Sequence, residues 1–261
     1  MDATTRHAEI QNLLAAHERV EVDGLAQHFG VSTQTIRSDL RDLSDKGLLS
    51  RVHGGAVRVA STSSRGYEDR RKLNAKGKAA MAALVADLVP DNCSLTLNIG
   101  TSTEQVARAL KEHHGLSIIS NNINIINMMI GGRTRELILV GGAIRQSDGA
   151  IVGEDAVSFI SRYKTDFAII GASAMDADGA ILDHDAREVS VARAILDNAR
   201  TKVLICDGSK FERTAPVRIC ALGDLDYLVT DRPVPPDFAE AARHHGTRIL
   251  IADQSERSEN E

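Results

Sequence analysis

Asp23-Gly-Leu-Ala-Gln-His-Phe-Gly-Val-Ser-Thr-Gln-Thr-Ile-Arg-Ser-Asp-Leu40 is the stretch that decides how this chain is read. Leu25, Ala26 and Phe29 fall on one stripe of a short helix. Gly30 follows where a tight turn needs positive φ, which a residue without Cβ takes at little cost. Ser32 stands at an N-cap position, and Ile36, Leu40 and Leu43 continue a second apolar stripe. Thr33, Gln34, Thr35, Arg37 and Ser38 are left near the front of that second helix, off its buried face. Side chains of these types meet phosphates and base edges in a DNA major groove. The pattern predicts a helix-turn-helix.

Upstream, residues from Thr4 to about Ala16 predict a first helix with Ile10, Leu13 and Leu14 along one side. Downstream, Leu48-Leu-Ser-Arg-Val-His-Gly-Gly-Ala-Val-Arg-Val59 gives two short extended runs around Gly54-Gly55, a hairpin signal because primed turns need positive φ. Arg51, His53 and Arg58 decorate this wing. A winged helix-turn-helix is therefore expected over residues 1–58. Arg37 should carry the largest share of contact with double-stranded operator DNA. Thr33, Gln34, Thr35 and Ser38 should set register and part of the specificity, while Arg51 and His53 touch the backbone from the wing.

Residues 59–74 are expected to be a linker, because Ala60-Ser-Thr-Ser-Ser-Arg-Gly66 is small and polar. The charged run holding Arg65, Arg70, Arg71, Lys72, Lys76 and Lys78 has two readings, a solvated helix face or a phosphate-backbone contact near the wing. It grades into an amphipathic helix with Met81, Leu84, Val85, Leu88 and Val89, ended by Pro90. From Ser94 onward apolar runs appear at 95–99, 116–119, 137–140, 167–170, 203–206, 227–229 and 249–251. Helical stretches lie between many of them, near 103–111, 123–130, 155–161, 187–198 and 236–244. Apolar strands separated by helices imply a largely parallel sheet covered on both faces, an α/β domain expected over 75–253. Residues 254–261 are polar and charged and are expected to be a disordered tail.

At 261 residues the chain can bury a core in each of two domains. No run is long enough to span a bilayer, and Met-Asp-Ala-Thr-Thr-Arg is not a signal peptide, so a cytoplasmic location is expected. Cys93, Cys206 and Cys220 are odd in number and scattered without metal-ligand spacing. They are read as reduced thiols, with no metal site and no cofactor. The net charge of −5 argues against non-specific nucleic-acid binding by the whole chain, but the relevant field belongs to one face. A single winged module reads too few base pairs for genomic selectivity, so a homodimer or homotetramer is expected.

In open α/β sheets ligands bind beyond the carboxyl ends of the strands. The first strand ends in Asn98-Ile-Gly-Thr-Ser-Thr-Glu104, where the amides of Gly100, Thr101, Ser102 and Thr103 would cradle an anion at a helix N-terminus. The second ends in Ser120-Asn121-Asn122, the third in Gly141-Gly142, and the strand at 203–206 in Asp207-Gly-Ser-Lys210. Lys210 is a point charge suited to a phosphate. Together these ends predict a converging phosphate site.

These residues resemble the DeoR family of bacterial transcription regulators across nearly the whole chain. The resemblance is carried by Arg6-x-x-x-Ile10, Ser32-x-x-Thr35-Ile36-Arg37-x-Asp39-Leu40 and Arg51-Val-His-Gly-Gly-Ala56, and in the second half by Gly100-Thr-Ser, Asn121-Asn122 and Asp207-x-Ser-Lys210-Phe211. It implies a sensor domain similar in fold to ribose-5-phosphate isomerase. It also implies a repressor of a catabolic operon that a phosphorylated metabolite releases. Asn121-Asn-Ile-Asn-Ile, Asp148–Glu154, Asp166–Gly171 and Asp178–Leu182 resemble the branch that answers to glycerol-3-phosphate, the first effector expected. Its carbon end is expected at Asn98 and Asn121, and at Glu188 or Asp176, with Asn122, Gly141 and Gly142 also expected in the effector site. The sequence departs from the family at Asn98, commonly aspartate, and at Ser38, often basic. The alternative is an isomerase-like enzyme with an appended DNA-binding domain. Glu188 aligns with the isomerase's glutamate base, but Met175-Asp-Ala-Asp-Gly-Ala180 has no lysine where its enediolate-stabilising lysine should lie. Binding rather than turnover is expected.

Overall fold

The computed structural model describes residues 3–17, 19–45, 49–52, 54–57 and 64–252, and the chain divides into two compact units, Met1–Thr62 and Ser63–Glu261. The first contains α1 (Ala3–His17), β1 (Arg19–Glu21), α2 (Val22–Phe29), α3 (Thr33–Asp45), β2 (Ser50–Val52) and β3 (Gly55–Val57). Ile10 and Leu14 of α1, Leu25 and Ala26 of α2, and Ile36, Leu40 and Leu43 of α3 bury one core with Leu49 and Ala56. The turn after α2 follows the sequence logic: Gly30 takes φ 63°, and the amide of Val31 donates to Ala26 O at 3.1 Å. Ser32 Oγ accepts from the amide of Thr35 at 3.1 Å and caps the start of α3. Arg6 of α1 grips Asp39 of α3 with two bonds, of 2.6 and 2.9 Å, and His7 Nε2 lies 2.9 Å from the same carboxylate. Burial alone would raise the Asp39 pKa; the hydrogen bonds from Arg6 and His7 outweigh it and hold it below the usual carboxylate value.

The wing is a three-stranded antiparallel sheet in the order β1-β3-β2, so the hairpin gains a partner strand that the sequence pattern did not announce. Its two glycines do different jobs. Gly54 carries the positive φ of the turn, 78°, whereas Gly55 lies in β3 where a Cβ would strike the carbonyl oxygen of Val20.

The second unit opens with α4 (Ser64–Lys72) and α5 (Ala75–Leu88). Residues 64–72, expected as linker, are thus helical and belong to this unit; the buried Tyr67 gives an otherwise polar stretch an anchor. The chain continues through β4 (Ser94–Leu97), α6 (Thr101–Ala109), β5 (Ser117–Ser120), α7 (Ile123–Met129) and β6 (Glu136–Leu139). Next come the hairpin β7 (Ile144–Arg145) and β8 (Ala150–Ile151), then α8 (Glu154–Ile160) and β9 (Thr165–Ile170). After β10 (Ala174–Met175), β11 (Ala180–Asp183), α9 (Ala186–Asp197) and β12 (Ala199–Ile205), a 3-10 turn spans Gly208–Glu212. The unit ends with β13 (Val217–Ala221), β14 (Tyr227–Thr230), α10 (Pro236–His245) and β15 (Arg248–Ile251). The expected tail at 254–261 lies outside the described residues.

The seven apolar runs all become strands of one parallel sheet, ordered β15-β14-β12-β9-β4-β5-β6. Alternate residues feed opposite layers: Leu95, Leu97, Ile169, Val203 and Ile205 pack with residues of α5, α6 and α7, while Ala168, Ile170 and Leu204 pack with residues of α8, α9 and α10. A second sheet, antiparallel β10-β11-β13, was not foreseen. From β4 the chain steps through β5 to β6 at one edge, then returns to β9 on the other side of β4 and proceeds outward to β15. The crevice between β4 and β9 is therefore the topological switch point.

Candidate effector cavity and DNA-reading helix

A cavity opens at that switch point. The loop after β4 contributes Asn98 and Gly100–Thr103, β9 is followed by Gly171, Ala172 and Ser173, and β12 leads into Cys206, Asp207 and Lys210. Gly100, at φ 138°, precedes α6, whose first helical bond runs from the amide of Glu104 to Gly100 O at 3.0 Å. The amides of Thr101, Ser102 and Thr103 in the first turn then have no helical acceptor, which favours an anion there. Thr103 Oγ1 is engaged within the loop, donating to Gly100 O at 2.7 Å.

Lys210 rides on the 3-10 turn that Asp207 caps: Asp207 Oδ1 accepts from the amide and the hydroxyl of Ser209. Burial opposes the Asp207 charge, but these bonds and the positive charge of Lys210 keep its pKa below the ordinary value. A second clamp fixes the turn. Asp231 Oδ1 accepts from Gly208 N at 2.7 Å, and its Oδ2 accepts from Asn74 Nδ2 at 2.6 Å, at the junction of α4 and α5.

The sequence reading found Lys210 but missed the other cations of this end. Lys78 lies in the apolar stripe of α5 with Met81, Ala82 and Val85, is 4 % exposed, lines the cavity and donates to the carbonyl of Arg70. Burial lowers its pKa to about 8, against the pull of Asp207 and with the push of Lys210, Arg70 and Arg213. Arg70 and Arg213 line the cavity as well. The signal was present: a lysine at helical spacing within an apolar stripe. Two cations of the charged run, Arg70 and Lys78, line this cavity, and Arg71 lies 3.6 Å from Glu104.

Beneath α4 lies a buried polar network. Tyr67 Oη donates to Glu104 Oε1, which also accepts from Asn122 Nδ2 at 3.2 Å and Asn124 Nδ2 at 3.4 Å. Burial first, and then the Glu104 carboxylate, raise the Tyr67 pKa, so the proton stays on the phenol. Tyr67, Arg70 and Leu73 line the cavity, and α4 is one of its walls.

At the other end stand Asp148, Asp183 and Glu188. Arg145, on the β7–β8 hairpin, binds Asp148 with bonds of 2.8 and 2.6 Å, pairs with Glu188, and lies 3.5 Å from Asp185. Burial opposes the Arg145 charge, but Asp148 and Glu188 outweigh it and raise its pKa. Burial, aided by Asp183, pushes Glu188 up to about 7 in spite of Arg145.

Of the residues expected to hold the effector, Asn98, Gly100, Thr101, Ser102, Thr103, Asn122, Glu188 and Lys210 line one cavity. Asn121, Gly141, Gly142 and Asp176 do not line it. Asn121 donates to Ile151 O at 3.0 Å and so pins β8, while its Oδ1 is buried without a partner outside the cavity lining. Gly141 and Gly142 lie past β6, with Gly142 against Ile151. Asp176 closes the β10–β11 turn, its carbonyl accepting from Gly179 N at 3.0 Å. Asn98 Oδ1 is buried with no hydrogen-bond partner, an acceptor facing a cavity.

In the first unit, Gln34, Arg37, Ser38 and Arg41 are exposed along α3, with Thr33 and Thr35 half-buried. Arg41, one turn beyond Arg37, was overlooked. Arg51 belongs to β2, and His53 lies outside the described residues. Among the described residues no cluster of His, Cys, Asp or Glu is placed to hold a metal, and no helix is long and apolar enough to cross a membrane. Cys93, Cys206 and Cys220 are buried free thiols, pushed up by burial to about 11, 12 and 12.

A helix-turn-helix with a wing, followed by a sheet domain with a polar cavity at its switch point, defines a class of two-domain protein pairing a helix-turn-helix module with an α/β domain. The chain belongs to the DeoR family: residues 6–62 match the DeoR-like helix-turn-helix domain and residues 73–232 the DeoR C terminal sensor domain. Its relatives include the glycerol-3-phosphate regulon repressors of Escherichia coli, 38% identical over 96% of this chain and 100% of that one, and of Haemophilus influenzae, 38% identical over 97% and 98%. The transcriptional repressor CsqR of Escherichia coli is 35% identical over 95% of each. Among solved structures, ribose 5-phosphate isomerase from Methanocaldococcus jannaschii aligns over 52% of this chain and 54% of that one, with 16% identity and a TM-score of 0.39.

Proposed function

We propose that this chain is a cytoplasmic repressor that binds double-stranded operator DNA through α3 and the wing. It is released when a small phosphorylated polyol or sugar, glycerol-3-phosphate first, fills the cavity at the β4–β9 switch point. One observation carries the effector reading: a helix N-terminus, Lys210 and Lys78 line the same cavity, a cation-rich and amide-rich cradle for one phosphate. The orphaned Asn98 Oδ1 then takes a hydrogen bond from an effector hydroxyl. Binding relieves repression only if the released conformation holds the effector more tightly than the DNA-bound one. Because α4 is a wall of the cavity and the first helix of its unit, it is the element through which occupancy is reported.

The isomerase alternative needs a free base and a cation beside the enediolate. Glu188 is paired with Arg145 and shares its wall with Asp183, which favours binding over turnover. The test is fluorescence anisotropy on DNA from the gene's own upstream region, titrated with glycerol-3-phosphate, fructose phosphates and ribose phosphates. Release by glycerol-3-phosphate at the lowest concentration is expected. Release by a hexose or pentose phosphate alone would overturn the choice of effector, and isomerisation of ribose-5-phosphate abolished by Glu188→Gln would overturn the reading as a sensor.

A further inference from the structure

We propose that Asp183 and Glu188 select the effector by charge: the cavity admits a phosphate ester whose remaining end is neutral and turns away one that carries a second anion. This rests on the phosphate-sensing reading above and sharpens it. The cavity is electrically divided. Lys78 has one acidic neighbour, Asp207, against three cations, Lys210, Arg70 and Arg213, whereas Glu188 has one cation, Arg145, against Asp183 and Asp148. The cation nearest the acidic end is held by carboxylates: Arg145 donates to Asp148 through Nε and Nη2, and its Nη1 forms ion pairs with Asp185 and Glu188 without a directed hydrogen bond. Arg187 is paired with Asp185 at 2.7 Å. Among the described residues Asp183 forms no ion pair; its Oδ1 accepts from Ser173 Oγ at 2.9 Å and from the amide of His184 at 2.7 Å. Above the raised Glu188 value of about 7, four carboxylates, Asp148, Asp183, Asp185 and Glu188, stand against the two guanidiniums of Arg145 and Arg187, a negative excess.

A second observation points to a ligand there. Asn98 Oδ1, in a side chain buried to all but 5 %, has no partner and lines the same cavity. The group it presents is a neutral acceptor. Acceptors and carboxylates together take hydrogen bonds from hydroxyls and have nothing to offer a carboxylate or a second phosphate. Like charges within a partly desolvated cavity repel strongly enough to discriminate.

The isosteric pair that reads this is glycerol-3-phosphate and 3-phosphoglycerate, in which a CH2OH is replaced by a carboxylate. Calorimetric titration of the full chain at pH 7.5 should give affinity for 3-phosphoglycerate at least about tenfold lower, a difference of ~1.4 kcal/mol. Asp183→Asn keeps the shape and the acceptor for Ser173, and Glu188→Gln does the same for its position. Each should narrow the ratio, and the double variant should bring the two esters within about threefold. Equal affinity in the wild type, or a ratio unmoved in both variants while their circular dichroism stays native, would overturn the proposal. If neither ester bound the wild type, the phosphate-sensing reading would itself fall and take this inference with it.

Discussion

Removing the Glu104 side chain should loosen α4 from the sensor domain, and the cost follows from the bonds it makes. Glu104 is 2 % exposed and accepts from the Tyr67 hydroxyl, from Asn122 and from Asn124, with Arg71 at 3.6 Å. In Glu104→Ala the Tyr67 hydroxyl and Asn122 Nδ2 lose their acceptor while buried, at about 1–3 kcal/mol each. Asn124 keeps Asp148 O at 2.9 Å, and Arg71, half in solvent, rehydrates, so these two add little. A loss of about 2–6 kcal/mol is therefore expected. Glu104→Gln retains an acceptor for Tyr67 and Asn122 and turns an amide toward Arg71, so it should cost about 1 kcal/mol. The chain has no tryptophan, so urea unfolding is followed by far-ultraviolet circular dichroism, on the transition of the second unit. An alanine variant within about 0.5 kcal/mol of wild type, or a glutamine variant as damaged as the alanine one, would refute the bond-by-bond reasoning.

Arg37→Ala should weaken operator binding by about 1–3 kcal/mol and Arg41→Ala by less, both read in gel-shift titrations; unchanged affinity for both would remove α3 from the groove. Effector affinity should depend on pH through Lys78. Its pKa of about 8 lies below the ordinary lysine value, so the free protein sheds that proton as pH rises through 8, and phosphate binding favours the charged form. More glycerol-3-phosphate should be needed for release at pH 9 than at pH 7.5, and Lys78→Met should flatten this profile. Light scattering at micromolar concentration should give a dimer or tetramer; a stable monomer would leave operator selectivity without a basis.

The parallel sheet was legible because strands buried on both faces read as apolar runs, and the seven runs between Leu95 and Ile251 needed no knowledge of their partners. The antiparallel sheet was not: β10 and β11 hold two and four residues, and β11 finds β13 only across the whole of α9 and β12. Half of the cavity was legible for a similar reason. The loops at Gly100 and Lys210 lie at strand ends, where position alone nominates them. Lys78 and Arg70 come from helices ahead of the sheet, in a run whose charge pointed outward by composition and inward only by helical register. Asp39 resembled part of a recognition motif, yet its carboxylate is buried against Arg6, holding α1 to α3 rather than meeting DNA. Arg145 was only half visible: Asp148 is its neighbour on the β7–β8 hairpin, but Asp185 and Glu188 join it only when that hairpin reaches α9.

The central claim is that one cavity holds the phosphate and that its occupation frees the operator. Lys210→Ala tests it most directly, with operator affinity and glycerol-3-phosphate release measured by anisotropy on the same preparation. Lys210 lies in the second unit, away from α3 in sequence, so operator affinity should stay within about twofold of wild type. The effector concentration for half-release should rise about tenfold or more, as the loss of one charge-assisted hydrogen bond to phosphate requires. Release at the wild-type concentration, with operator binding intact, would contradict the account.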